Sequence, residues 1–89
     1  MSLICELRQI ASLDDLYAQM AEQLAFPAHF GRNLDALYDT LANDVPGPIT
    51  LIWHQHEPSR HALGASYDQL VAILEDVSAE RGDLTVEWL

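Results

Sequence analysis

Asp35 and Asp39 stand four residues apart in the segment Asn33-Leu34-Asp35-Ala36-Leu37-Tyr38-Asp39, whose apolar spacing is that of a helix. At 100° per residue the two carboxylates share one flank, with Ala42 beside them and Tyr38 on the border between that flank and the apolar stripe. Like charges one turn apart cost an isolated helix about 0.2–0.5 kcal/mol. Asp35, in the first turn, regains part of this from the helix dipole, whereas Asp39 lies beyond its reach. A cation outside the helix would explain the pair; a plain solvated face is the alternative. A catalytic acid and base would need a substrate cleft and pKa values pushed apart, and acids on an open helix face of an 89-residue chain are poorly placed for that. Asp76 and Glu80 repeat the spacing on the last helix, where exposed acids are commonplace.

The other groups with chemical potential are fewer. His54 and His56 lie near a strand end and could hold a metal with Glu57 or His61, but further ligands at fixed spacing are not evident. Polar strand-end histidines account for them as well. Cys5 sits in an apolar run and reads as core rather than nucleophile. No glycine-rich phosphate loop is visible. This reading assigns no catalytic residue, no metal and no cofactor.

Charge narrows the function further. Fourteen acidic residues stand against four basic ones, all arginine, for a formal net charge of −10. Phosphate binding needs clustered Lys and Arg, whereas Arg8, Arg32, Arg60 and Arg81 are scattered singly. Direct binding of nucleic acid is therefore disfavoured, while a basic protein partner would be attracted and its encounter accelerated. Acidity for solubility alone is the plain alternative. A single cysteine allows no intramolecular disulfide, which fits a reducing compartment. Neither an export signal nor a stretch of about 20 apolar residues is visible, so the expected location is the cytoplasm, without membrane contact.

The elements that must carry these residues follow from periodicity. With 49% hydrophobic residues over 89 positions, the chain is expected to form one domain over residues 1–89 around one core. Leu3 to Leu7 reads as a buried strand. Ser12 caps a helix from about Leu13 to Ala25, with Leu13, Leu16, Tyr17, Met20 and Leu24 inward, and Pro27 stops it. Phe26 to Arg32 is a loop. Asn33 caps a second helix, whose Leu34, Leu37, Tyr38 and Leu41 form a stripe, ending near Asn43. A turn over Asp44 to Pro48 leads to a strand from Ile49 to His54. A short irregular helix over Pro58 to Leu63 precedes an amphipathic helix from Ser66 to Arg81, capped by Gly82. Leu84 to Trp88 is the last strand. Helices separate every pair of strands, which implies an α/β fold with a three-stranded parallel sheet covered by helices.

The run His29-Phe30-Gly31-Arg32-Asn33-Leu34-Asp35-Ala36-Leu37-Tyr38-Asp39 closely resembles the central motif of the barstar family of ribonuclease inhibitors. That motif is an aromatic pair, Gly, any residue, Asn-Leu-Asp-Ala-Leu, an aromatic residue and Asp. The resemblance extends over nearly the whole chain, including the strand around Ile52 and Trp53 and the ending Ala79-Glu80-Arg81-Gly82-Asp83-Leu84-Thr85. It implies a non-enzymatic immunity protein that blocks the active site of a basic, secreted, barnase-type ribonuclease with its second helix and preceding loop. Asp39 matches the family's principal anchor, Asp35 a second contact, Glu80 an outer electrostatic one, and Asp76 falls near another family acid. Tyr38 matches an aromatic contact, and Asn33, Ala42 and Asn43 complete the expected contact surface. His29 and Phe30 stand where the family typically has tyrosines, Tyr38 where tryptophan is more usual, and Asn43-Asp44 where barstar has a glycine and an aromatic. These departures point to a different cognate nuclease, or to an interaction module whose basic partner is not a ribonuclease.

Overall fold

Alternate residues of the three strands are apolar and buried: Cys5 and Leu7 in β1 (Leu3–Leu7), Ile49, Leu51 and Trp53 in β2 (Ile49–Trp53), and Leu84 in β3 (Leu84–Trp88). A period of two with one side inward is the pattern of a sheet packed on one face. In the computed structural model, which describes residues 2–89, the strands form one parallel sheet in the order β1-β2-β3. The register sets Cys5 beside Leu51 beside Val86. Of the intervening residues, Ile4, Thr85 and Glu87 are exposed and Glu6, Thr50 and Ile52 are half-buried. The helices thus cover one face of the sheet, a narrower coverage than parallel sheets usually have.

Among the described residues, four helices connect the strands: α1 (Leu13–Leu24), α2 (Leu34–Asn43), α3 (His56–Leu63) and α4 (Ala65–Arg81). In α1, Ser12 Oγ accepts from the Asp15 N–H at 3.1 Å, and the Asp15 carboxylate accepts from the Ala11 N–H at 3.1 Å, so two otherwise unpaired donors are satisfied. Leu16, Tyr17, Met20 and Leu24 then point inward. Ala25 adopts a left-handed φ of 53° and closes the helix one residue earlier than its sequence suggests. Leu37 and Leu41 of α2 and Leu70, Leu74 and Val77 of α4 are fully buried in the same core.

The segment after β2 departs from the sequence-based expectation. β2 stops at Trp53, and α3 begins at His56 instead of Pro58 and is a regular α-helix. Pro58 occupies its third position, where no intrahelical donor is required. Gln55, at φ 57°, makes the sharp reversal from strand to helix, and Gly64 at φ 59° separates α3 from α4. Ser59 is buried, and its hydroxyl accepts from the Trp53 indole N–H at 3.2 Å, tying this helix to the sheet. Cys5 is inaccessible; burial, and then the neighbouring Glu6 charge, push its thiol up to about 12, as suits a core residue. Among the described residues, no helix is long and apolar enough to cross a membrane.

Candidate functional site

The motif around residue 31 has a physical explanation. Asn33 Oδ1 accepts from the Ala36 N–H at 2.8 Å, capping α2, while its Nδ2 donates to the Gly31 carbonyl at 3.1 Å and folds the incoming loop against the helix. A Cβ on Gly31 would lie only 3.2 Å from Asn33 Nδ2 and 3.3 Å from the Ala36 methyl, a tight fit that favours Gly at 31 and a small residue at 36. Arg32 passes between them at φ 50°, and its guanidinium reaches the Asp14 carboxylate at 3.5 Å. Phe30 is half-buried, edge-on to Tyr17 at 5.6 Å and to Phe26 at 4.9 Å between ring centroids. It pins the loop to α1, and its neighbour His29 is exposed.

The other end of α2 is held by Arg81. Its Nη1 donates to the carbonyls of Leu41 and Val45, each at 2.7 Å, and its Nε and Nη2 donate to the Asp83 carboxylate at 2.8 and 3.2 Å. The side chain is 12% exposed. A cation thus satisfies carbonyl oxygens at the C-terminal end of α2 and fixes that end to the junction of α4 and β3. Gly47 makes room for this clamp, since a Cβ there would run into the Asp83 carboxylate and stand 2.6 Å from Arg81 Nη2.

Between these two anchors α2 lies against α4. The packing brings together acids that are about forty residues apart in sequence. Tyr38 is half-buried at the seam, and interaction with the nearby Glu80 carboxylate, then desolvation, then the charges of Glu80, Asp76 and Asp39 push its phenol up to about 12. It therefore remains a neutral hydrogen-bonding group across the physiological range. Asp35, Asp39, Asp76 and Glu80 are all exposed. Among the described residues, none of the four takes part in an ion pair; the arginines instead pair with Glu6, Asp14, Glu57 and Asp83. Ala42 is half-buried and Asn43 exposed at the far end of the same helix. Asp35 also borders a groove of about 710 Å³ that runs past Asp14 and Arg32 to Ser66.

Sequence periodicity foretold the Asp35 and Asp39 flank and, separately, that of Asp76 and Glu80, but not that the two join around one tyrosine hydroxyl. It also left Arg81 as one of four scattered arginines. The signal available was its position at the end of a helix, two residues before an acid. His54 and His56 do not converge. His54 Nε2 lies 3.0 Å from Glu6 Oε1, and His56 Nδ1 lies 3.4 Å from the Tyr67 hydroxyl. Among the described residues, no group of three or more His, Cys, Asp or Glu side chains is arranged to hold a metal ion.

Comparison with known proteins agrees with this architecture. The sequence model of the family described as Barstar (barnase inhibitor) matches residues 1–88. A protein of Bacillus subtilis (strain 168) named "Putative ribonuclease inhibitor YrdF" is 32% identical over 81 residues, which cover 91% of this chain and 89% of that one. The likeness spans both helices of the acidic face and all three strands, and the chain belongs to the barstar family.

Proposed function

We propose that this protein is a stoichiometric inhibitor of a basic, barnase-type ribonuclease, acting in the cytoplasm of the cell that makes it and not as an enzyme. The observation that carries the reading is the acidic face of α2 and α4: Asp39, Asp76 and Glu80 near Tyr38, with Asp35 one turn away on α2, all exposed and none paired with a cation among the described residues. A ribonuclease active site presents arginines and lysines spaced for RNA phosphates, and carboxylates on a preformed helix can occupy those places. Asp39 is the central anchor in this reading, with Asp35 beside it and Asp76 and Glu80 on the outer side. Tyr38 contributes ring area and a neutral hydroxyl, and His29, Phe30, Asn33, Ala42 and Asn43 complete the contact. The family match supports a ribonuclease as the partner.

Rigidity at both ends of α2 supports the same mechanism. Affinity suffers when side chains must be ordered on binding, and here the Asn33 cap and the Arg81 clamp hold the helix before any partner arrives. Long-range attraction between a chain of charge −10 and a basic enzyme accelerates encounter and weakens with salt. The test is to titrate the protein into barnase-type ribonucleases while following RNA cleavage and binding heat. The expected result is complete inhibition at a one-to-one ratio, with association slowed by added salt. Retention of full cleavage across the panel would reject the ribonuclease reading and leave a barstar-like module for another basic protein.

A further inference from the structure

The two edges of the sheet are treated differently. In β1 the Leu3 N–H donates to Pro48 O, and the His54 N–H donates to Leu7 O, so the backbone groups of odd-numbered residues face β2 and those of Glu6 and Arg8 face outward. Two glutamines of α1 close that outer edge. Gln23 accepts from the Glu6 N–H and donates to the Glu6 carbonyl, each at 2.8 Å, and Gln19 does the same for Arg8 at 2.9 and 2.8 Å. Each carboxamide imitates the peptide group of a neighbouring strand, which is one way to blunt an edge.

The outer edge of β3 has no such cover along most of its length. The Ile49 N–H donates to Asp83 O and the Leu89 N–H to Trp53 O, so odd-numbered residues again face β2 and Leu84, Val86 and Trp88 turn their backbone groups outward. Ser78 Oγ donates to the Leu84 carbonyl at 2.6 Å, and no side chain among the described residues bonds the backbone of Val86 or Trp88. Beside this edge runs a groove of about 420 Å³ between β3 and α4, with Leu74, Val86 and Trp88 among its apolar lining and the small Ser78 and Ala79 leaving its width open. An open strand edge next to a helix groove is the geometry of strand addition, in which main-chain bonds give affinity and alternate side chains enter the groove.

We propose that the β3 edge and the β3–α4 groove form a second interaction surface, which takes an extended, lysine- or arginine-bearing segment of a partner protein as a fourth strand. Charge selects the occupant. Glu75 lines the groove, Glu87 stands exposed on the strand, and no basic side chain lines the groove. The nearest arginine in sequence, Arg81, is engaged by Asp83 and two carbonyls. A second copy of this chain would bring the same acids to the same edge and add a net charge of −10, so like-charge repulsion disfavours it.

The test uses the whole ¹⁵N-labelled protein and, as probe, a capped hexapeptide of alternating lysine and valine, with its glutamate–valine counterpart as control. Saturable amide shifts and slowed exchange at Val86 and Trp88 are expected with the basic peptide only. Ala79→Arg, at an exposed helix position, narrows the groove and adds a cation, and should weaken binding at least tenfold, about 1.4 kcal/mol. Val86→Pro removes an outward-facing donor and should do the same. The proposal is overturned if the basic peptide leaves the β3 amides unmoved, if its shifts fall only on residues 33–43 and 76–80, or if Ala79→Arg binds undiminished. It is equally overturned if the β3 shifts appear without peptide as protein concentration and mass rise, since the occupant is then a second copy. Ribonuclease inhibition is not among these readouts, so each proposal can fail without the other.

Discussion

Two sets of charges at the α2–α4 seam are handled in opposite ways. Arg81 is nearly buried, and its N–H groups go to a carboxylate and two carbonyls of the same chain. Asp35, Asp39, Asp76 and Glu80 are exposed, repel one another and have no ion-pair partner among the described residues. A charge whose partners are internal maintains the fold, whereas in the proposed function the exposed acidic cluster is completed by a partner protein. On that reading the contrast separates residues that stabilise from residues that bind, and substitutions in each set test it.

The largest effect on stability belongs to the clamp. Arg81→Ala strands two carbonyls and frees Asp83, and should cost about 2–4 kcal/mol in chemical denaturation, with part of the loss relieved because Asp83 can hydrate. Asn33→Ala bridges the two regions, because the side chain both caps α2 and positions the loop. Stability should fall by about 1 kcal/mol, and ribonuclease binding should weaken with it. On the acidic face the sign reverses: Asp39→Asn removes one of two like charges a turn apart, and should raise stability by about 0.2–0.5 kcal/mol in the same denaturation experiment. A destabilising Asp39→Asn would show that the acidic cluster also serves the fold.

The smallest effect lies on the bare face of the sheet. Hydrogen bonding to His54, and then the charge of Arg8, hold the Glu6 carboxyl below its ordinary value of 4.5. A group whose folded pKa is depressed adds stability that is present above its unfolded pKa and lost as pH falls through the folded one. The Glu6→Gln protein should therefore lose less stability than the parent on acidification below about pH 4.5, as followed by thermal melts across that range.

Much of this was legible in the sequence, where short-range rules decide. Ser12, Asn33 and Gly82 act as caps at the expected positions, the three strands lie where the runs of apolar residues place them, and the motif from Gly31 to Asp39 lies within the stretch that matches the family. What was not legible depends on tertiary placement. Pro58 marks a helix start by propensity, yet Gln55 turns the chain early enough to place it inside the first turn of α3. Gln19 and Gln23 look like ordinary surface residues until the edge of β1 is beside them. Phe30, expected as a contact for a partner, also packs on Tyr17 and Phe26. The joining of two acidic flanks around Tyr38 required the α2–α4 packing, which no local pattern encodes.

The most direct measurement is the binding of Asp39→Ala to a barnase-type ribonuclease that the parent protein inhibits, by calorimetry, beside its unfolding free energy. An external partner for this carboxylate predicts a loss of about 2–5 kcal/mol in binding, from about thirtyfold to a few thousandfold, with stability unchanged or slightly raised. Equal affinity for parent and variant, or a loss of stability matching the loss of binding, would contradict it.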